Sequence, residues 1–493
     1  MATVSDHMML LKSKEQLYEP VFEKSAWLYV NDTNQSYESS TSVIETGALS
    51  NSNKYMIYNK AYISLPFLVT ITGAVGYDVT EVAIKQSFLS LVNSITVDLN
   101  GTNVVQQNQL IDIVNHYQIL TQESVSSSPR WATIGLGELA ERTALLDLGG
   151  DITNPRQTTL SQAELQKLHQ SNKSVYTETV TQYSARAIIY LKDLHPIFQS
   201  IPISKALNFK IQLFWNSCIT SLNKGATSAI FSLTNPYRPY NGTIPIEVTD
   251  DLYQRAINGP PNASILVSLY IGDKCYASSQ TSVAGVASGN VGNQVQLWVP
   301  SCQMKEAIET DYINTNAVKT VKYLDYYQYT INDIGASSTF NKLVSNGVSN
   351  LKSVLIVPFT ADDKENVSPI DSGLPKAFGH LGNLQVLVGG SNVLANDLRY
   401  SFHTFAQEFL NSFGVNGNES AGLGSGLIGY KEWFKNPYYF IDCSRVPDEL
   451  TKSYRSLQIT GTNVTTTPTE LVVFAFYERS FKLNTINGQI EAV

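Results

Sequence analysis

An all-β chain made of two similar antiparallel sandwiches is predicted by three features of the sequence. Apolar residues alternate with polar ones at period two through much of its length, helical stretches are few, and one segment of strand, tight turn, strand and helix occurs twice. Many short strands separated by long polar loops favour antiparallel sandwiches over a parallel α/β sheet.

Taken in chain order, residues 1–52 read as a polar N-terminal arm beginning "MATVSDHMMLLKSKEQLYEP". The longest apolar run, Ala61 to Tyr77, contains Pro66 and several hydroxyl residues, so it predicts one or two strands and falls short of a membrane span. "NFKIQLFW" places Phe209, Ile211, Leu213 and Trp215 on one face, and "QVQLWV" does the same for Val295, Leu297 and Val299. "SILVSLYIG", "TVKYLDYYQYTI", "LKSVLIVPF" and "ELVVFAFYERSFKLN" add further strands. Two helices are legible. "NQLIDIVNHYQIL" carries Leu110, Ile113, Val114, Tyr117 and Leu120 on one face with Asn108 as its cap, and "SQAELQKLHQ" opens with the capping-box spacing of Ser161 and Glu164.

The repeat sets Ile95–Leu120 against Leu384–Phe409 without a gap. It aligns Gly101 with Gly390 in the hairpin turns "NGTN" and "GGSN", where a residue tolerant of positive φ is needed. A weaker match in the same order sets "IIYLKDLHP" against "YFIDCSRVP". Two matches in order predict two domains of one fold, 53–310 with long loops at 121–183 and 219–262, and 311–493. Each repeated helix is expected to bury its apolar stripe against its own sandwich, with Phe405 fully buried.

Composition narrows the function. Only 15% of residues are charged, against roughly 25% in an average globular chain, while 27 tyrosines are present; such a surface suits extensive contact with other protein. A net charge of −8 without a basic block argues against direct nucleic-acid binding. The four cysteines, at 218, 275, 302 and 443, are too far apart for a zinc knuckle or a redox pair and are expected to be free thiols. No secretory signal is visible, so sequons such as Asn100, Asn241, Asn262 and Asn463 read as by-products of composition.

No catalytic, cofactor-binding or metal-ligating residue is predicted. "GLGSGLIG" contains the G-x-G-x-x-G spacing from Gly424 to Gly429, but a polar loop precedes it, and Pro437 ends any following helix within about two turns, so a loop is favoured over a nucleotide site. The six histidines, at 7, 116, 169, 195, 380 and 403, show no metal-binding spacing. The acidic runs at 249–251 and 360–366 lack a calcium-loop pattern. There is no G-x-S-x-G elbow and no Walker lysine. Tyr323, Tyr326, Tyr327 and Tyr329 form either a stacking platform for sugars or bases or, more often for alternating strands, sheet and interface filling.

The ordered set of segments resembles the double jelly-roll major capsid proteins of DNA viruses, and among these most those of polinton-like viruses and virophages. "SLVNSITVDLNGTNVVQ" and "LKDLHPIFQSIPISKALNFKIQLFWN" carry the resemblance in the first half. "KTVKYLDYYQYTI", "FNKLVSNGVSNLKSVLIVPF", "GLGSGLI" and "ELVVFAFYERSFKLNTINGQI" carry it in the second. The resemblance implies two tandem jelly rolls and a non-enzymatic structural protein of the virion, assembled inside a host cell. The implied assembly is a homotrimeric, pseudo-hexagonal capsomer that tiles an icosahedral shell with its neighbours and with penton and minor capsid proteins. Fold alone does not set function, so a sandwich enzyme or binding protein acting on polysaccharide, or a viral spike or fibre, stands as the alternative.

Overall fold

The computed structural model describes residues 22–33, 41–72, 82–84, 87–122, 175–176, 180–216, 218–224, 229–234, 246–248, 264–271, 294–360, 379–394, 400–414, 428–435, 437–444 and 455–492. Eight strands make the framework of the first sandwich: β1 (Phe22–Asn31), β2 (Thr41–Glu45), β3 (Tyr62–Thr72), β4 (Val92–Leu99), β5 (Thr102–Asn108), β6 (Val180–Tyr190), β7 (Phe209–Trp215) and β8 (Gln296–Met304). Eight more make the second: β9 (Val318–Ile334), β10 (Thr339–Val348), β11 (Leu351–Thr360), β12 (Leu381–Val388), β13 (Ser391–Asn392), β14 (Tyr439–Asp442), β15 (Arg455–Asn463) and β16 (Thr469–Asn484).

Pairing in the first sandwich runs β1-β8-β3-β6 in one sheet and β2-β7-β4-β5 in the other. In the second it runs β9-β16-β11-β14 and β10-β15-β12-β13. All these pairs are antiparallel, and adding eight to each label of the first sandwich reproduces the second. Two four-stranded sheets in this order, with successive strands mostly crossing between sheets, constitute a jelly roll. The chain is a double jelly roll.

Alternation places the side chains as the sequence predicts. In β7, Phe209, Ile211, Leu213 and Trp215 are buried while Lys210 is exposed, and β8 buries Leu297 and Val299. Gly101 and Gly390 sit at φ +81° and +84°, each the second residue of a two-residue hairpin closed by the pairs Leu99–Thr102 and Val388–Ser391. Asn100 and Gly389 before them are also at positive φ, so both turns have the primed geometry that matches strand twist. The weaker match falls on β6 and β14, which hold the same place in their sheets.

Three expectations are corrected. Residues 1–52 do not form an arm throughout, because 22–31 and 41–45 are strands in the two sheets of the first sandwich. Their signal is faint: β1 is an edge strand in which Leu28 and Val30 pack on the main core and Phe22 on a small satellite cluster, and the rest is polar or outward. The expected loop at 219–262 contains the strands Cys218–Lys224 and Ala229–Thr234, which, through Ser264–Ile271, extend the β3 sheet sideways. The 310/311 boundary falls inside a helix, α2 (Glu306–Asn316), tied to the first sandwich by Tyr312, whose hydroxyl donates to the Ile203 carbonyl at 2.7 Å. The helix expected from Ser161 and the acidic runs at 249–251 and 361–366 lie outside the described residues, as do His7, His169, Cys275, Asn241 and Asn262.

Candidate functional site: the junction between the sandwiches

The ends of two long strands build the junction. Along β9, Val321, Tyr323 and Asp325 are buried on one face, and then Tyr326 is buried on the other. In β16, the partners of these three are Phe481, Arg479 and Tyr477. Val321, Tyr323, Phe481 and Leu483 thereby join the core of the first sandwich, while Tyr326 belongs to the core of the second. A strand that passes from one core to the other switches its buried face and loses its simple alternation. This is why the tyrosine run misleads as a platform: Tyr323 and Tyr326 point inward to opposite cores, Tyr329 is half-buried against the second core, and Tyr327, stacked on Tyr477 at 4.4 Å, is the one exposed member of the four.

At the centre of the junction lies Asp325, fully buried. Its Oδ1 accepts from the Asn108 side-chain amide at 2.7 Å and from the Tyr326 N–H at 2.8 Å, with His195 Nε2 at 3.5 Å. Its Oδ2 accepts from the Tyr477 hydroxyl and from Arg479 Nη1, each at 3.2 Å. The Ile197 N–H donates to His195 Nδ1, which leaves Nε2 as the protonated nitrogen facing the carboxylate. Burial alone would raise the Asp325 carboxyl. The hydrogen bonds from His195, Asn108 and the Tyr326 N–H outweigh it and hold the group below the ordinary carboxylate range.

This network fastens one sandwich to the other. Asn108 and His195 come from the first; Asp325, Tyr477 and Arg479 come from the second. Arg479 also donates to the carbonyls of Val104 and Asn103, and the Tyr323 hydroxyl donates to Val104. Both carboxylate oxygens are occupied by protein donors, so the arrangement holds position and leaves no oxygen for a substrate.

The second fastening is α1 (Ile111–Gln122). Residues 111 to 117 of this helix are all buried. Ile111 and Ile119 pack in the first core, but Ile113, Val114 and Tyr117 pack in the second. Tyr117 stacks on Phe440 at 5.9 Å and meets Phe405 and Phe409 edge-on. The expectation that each repeated helix covers its own sandwich therefore fails for α1. It holds for α3 (Phe402–Gly414), which buries Phe405 and Phe409 among its own strands. Asn108, expected as the cap of α1, turns instead to Asp325, and the helix starts at Ile111 after Leu110 at φ +53°.

Other predicted features scatter. His116 is buried beside Tyr438 and His403 is exposed, while His380 packs on Phe434 and burial lowers its pKa. Among the described residues no group of three or more His, Cys, Asp or Glu is placed to hold a metal. Cys302 and Cys443 are buried and neither is in a disulfide, and burial pushes the Cys302 thiol up to about 11. Asn463 is fully buried, its side chain hydrogen-bonded to Gly335, Thr465 and Thr467. Most of the glycine motif lies outside the described residues. Gly429 leads into the six-residue helix α4 (Tyr430–Lys435), which exposes Tyr430 and Phe434, an apolar surface unsuited to phosphate.

Nothing in the sequence marks the Asn108–His195–Asp325–Arg479 set, because its members lie up to hundreds of positions apart and no spacing links them. Sequence reasoning also misses an aromatic row on the outside of the first sandwich. Trp27 and Tyr29 of edge strand β1 are each 51% exposed. They lean on Tyr62 and Trp298, whose rings stack at 6.4 Å, and Tyr62 continues the row to Tyr190.

Strand order and junction together define a double jelly roll whose halves are joined by buried contacts. No protein-family model and no curated protein matches the sequence. Solved structures do match. A chain of the Sputnik virophage, solved by cryo-electron microscopy, superposes with a TM-score of 0.59 at 12% identity, over 96% of this chain and 89% of that one. The mavirus major capsid protein gives 0.51 at 8% identity, over 95% and 90%. At such identities the likeness is one of fold.

Proposed function

We propose that the chain is a major capsid protein, a structural component of an icosahedral virion with no catalytic role. The observation that carries this reading is the pair of jelly rolls with one strand order, locked by the Asp325 network and by α1. Fixing the angle between two similar sandwiches makes a rigid two-lobed brick. Three bricks around a threefold axis present six similar lobes, a near-hexagonal outline that tiles a surface. The full-length likeness in fold to the mavirus major capsid protein supports the same reading.

The partners are then two further copies in a homotrimer, neighbouring capsomers, and the penton and minor capsid proteins that close a shell. The sparse charge and the outward row of Trp27, Tyr29, Tyr62 and Trp298 suit lateral protein contact. The trimer interface is expected to exceed ~2,000 Å², the range of permanent assemblies. Light scattering of the purified chain tests the reading: a particle of about three times the 54.4 kDa chain mass is expected, and a monodisperse folded monomer at micromolar concentration would overturn it.

A further inference from the structure

Within the chain, α1 of the first sandwich docks on the second, over the face of the β9-β16-β11-β14 sheet that is turned away from its partner sheet. The Tyr439 hydroxyl accepts from the Leu381 N–H of β12, so Tyr439 faces the partner sheet. Its neighbour Phe440 faces outward, and Tyr117 of α1 stacks on it there. On that outer face one residue from each strand, Tyr326, Phe476, Ser353 and Asp442, forms a cross-strand row. The row faces Val114 and Gln118 of α1 across a cleft.

Both parts of that contact have equivalents elsewhere in the chain, and both equivalents are open. The strands in the corresponding places of the first sandwich, β1, β8, β3 and β6, carry a second row on their outer face: Tyr29, Trp298, Tyr62 and Tyr190, paired directly across the sheet. These alternate with Leu28, Leu297, Ile63 and Ile189 of the first core. The row ends at the sheet edge, where Trp27 and Tyr29 stand half exposed. On the other side, the gap-free repeat sets Val114 and Gln118 of α1 against His403 and Gln407 of α3, and one residue past its end Thr121 against Leu410. Val114 and Thr121 are buried, whereas His403, Gln407 and Leu410 are all exposed and fall on one helix face.

Neither the row nor the α3 stripe includes a Lys, Arg, Asp or Glu. That disfavours nucleic acid or an anionic lipid surface as partner and fits a neutral, partly aromatic protein contact. We propose that the α3 stripe of one copy docks on the aromatic row of a second copy's first sandwich, repeating between chains the contact that α1 makes within one. Such a contact is head-to-tail, and with three chains it alternates with the internal version around a closed ring of lobes. It rests on the capsid reading and adds to it which faces meet and which residues form them.

The test uses the purified full-length chain and light scattering at micromolar concentration. Tyr29→Glu and Leu410→Glu each place a charge at an exposed position of one surface. Either should lower the particle from three chains to one with an unchanged circular dichroism spectrum. A chain carrying both Tyr29→Cys and Leu410→Cys should give two- and three-chain products with a short bis-maleimide. Either cysteine alone should give none beyond the background of the parent chain, because a head-to-tail contact does not bring a residue to its own counterpart. Cross-linking decides the question should a glutamate variant not fold. A trimer that persists in either glutamate variant, a double-cysteine trimer without multi-chain products, or linked dimers from a single cysteine would overturn the contact and leave the capsid reading standing. A monomeric parent chain would instead overturn that reading, and the contact with it.

Discussion

The two copies of the repeated hairpin and helix begin alike and end differently. Gly101 and Gly390 occupy equivalent turns, and the strands that flank them hold equivalent places in their sheets. The helices then part. α3 is amphipathic, with Phe405, Glu408 and Phe409 buried and His403, Gln407 and Leu410 exposed. α1 is enclosed over its first two turns, polar residues included, because it lies between two bodies and serves both. A duplicated element has kept its backbone role in one copy and become a connector in the other. Polar residues on a fully enclosed helix need specific partners; Asp112, for example, accepts from the Asn216 amide at 3.2 Å.

The largest expected effects test that divergence. Phe405→Ala and Tyr117→Ala should each cost ~3–5 kcal/mol, as for other buried aromatic residues, read by denaturant unfolding. Tyr117 lies in the first sandwich's chain segment but in the second's core, so the two losses should not add. A double-mutant cycle should give a coupling of about 0.5–1.5 kcal/mol. Strict additivity would show that α1 does not touch the second core in solution.

Next in size is the lock. Asp325→Asn keeps the shape of the side chain but removes the charge that Arg479 and Tyr477 address, and should cost about 1.5–3 kcal/mol at neutral pH. The sign with pH follows from a folded-state pKa held below the ordinary value. The stabilisation is complete above the unfolded value near about 4 and is lost as pH falls through the folded one. The parent chain should therefore lose stability on acidification more steeply than Asp325→Asn, measured by thermal unfolding between neutral pH and pH 3. Parallel slopes would remove Asp325 from the account.

Smaller effects sharpen the likeness of the two copies. A Cβ added at Gly101 or Gly390 meets nothing within 4 Å, so alanine at either position costs only the strain of positive φ, about 1–2 kcal/mol. The two costs should agree closely, and a large inequality would mean that the turns are not equivalent. Least of all should iodoacetamide disturb the native protein: Cys302 and Cys443 should stay unmodified at pH 8 and react after denaturation, as mass spectrometry would report. Native modification of Cys302 would contradict its burial and its raised thiol pKa.

The strand framework was legible wherever one face of a sheet meets the core. Phe209, Ile211, Leu213 and Trp215 are of that kind, and the turn glycines exposed the duplication because only a few residues tolerate their φ. Legibility failed at edges and at contacts between bodies. β1 sends too few side chains inward to register as a strand, and β9 breaks alternation at Asp325–Tyr326 because its buried face changes as it passes from the first core to the second. The junction network was invisible for a different reason. Asn108, His195, Asp325 and Arg479 meet only once both sandwiches have folded and docked, and sequence periodicity records neither event. The aromatic row hid similarly, since Trp27, Tyr62, Tyr190 and Trp298 come from four strands.

If the two jelly rolls are held at one angle to make a capsid brick, the purified assembly itself carries the decisive information. Electron cryo-microscopy of the full-length protein should show threefold particles with six similar lobes, into which three copies of the double jelly roll fit without a change in the angle set by Asp325 and α1. Particles containing a single chain, or trimers whose two sandwiches have separated at that junction, would contradict the account.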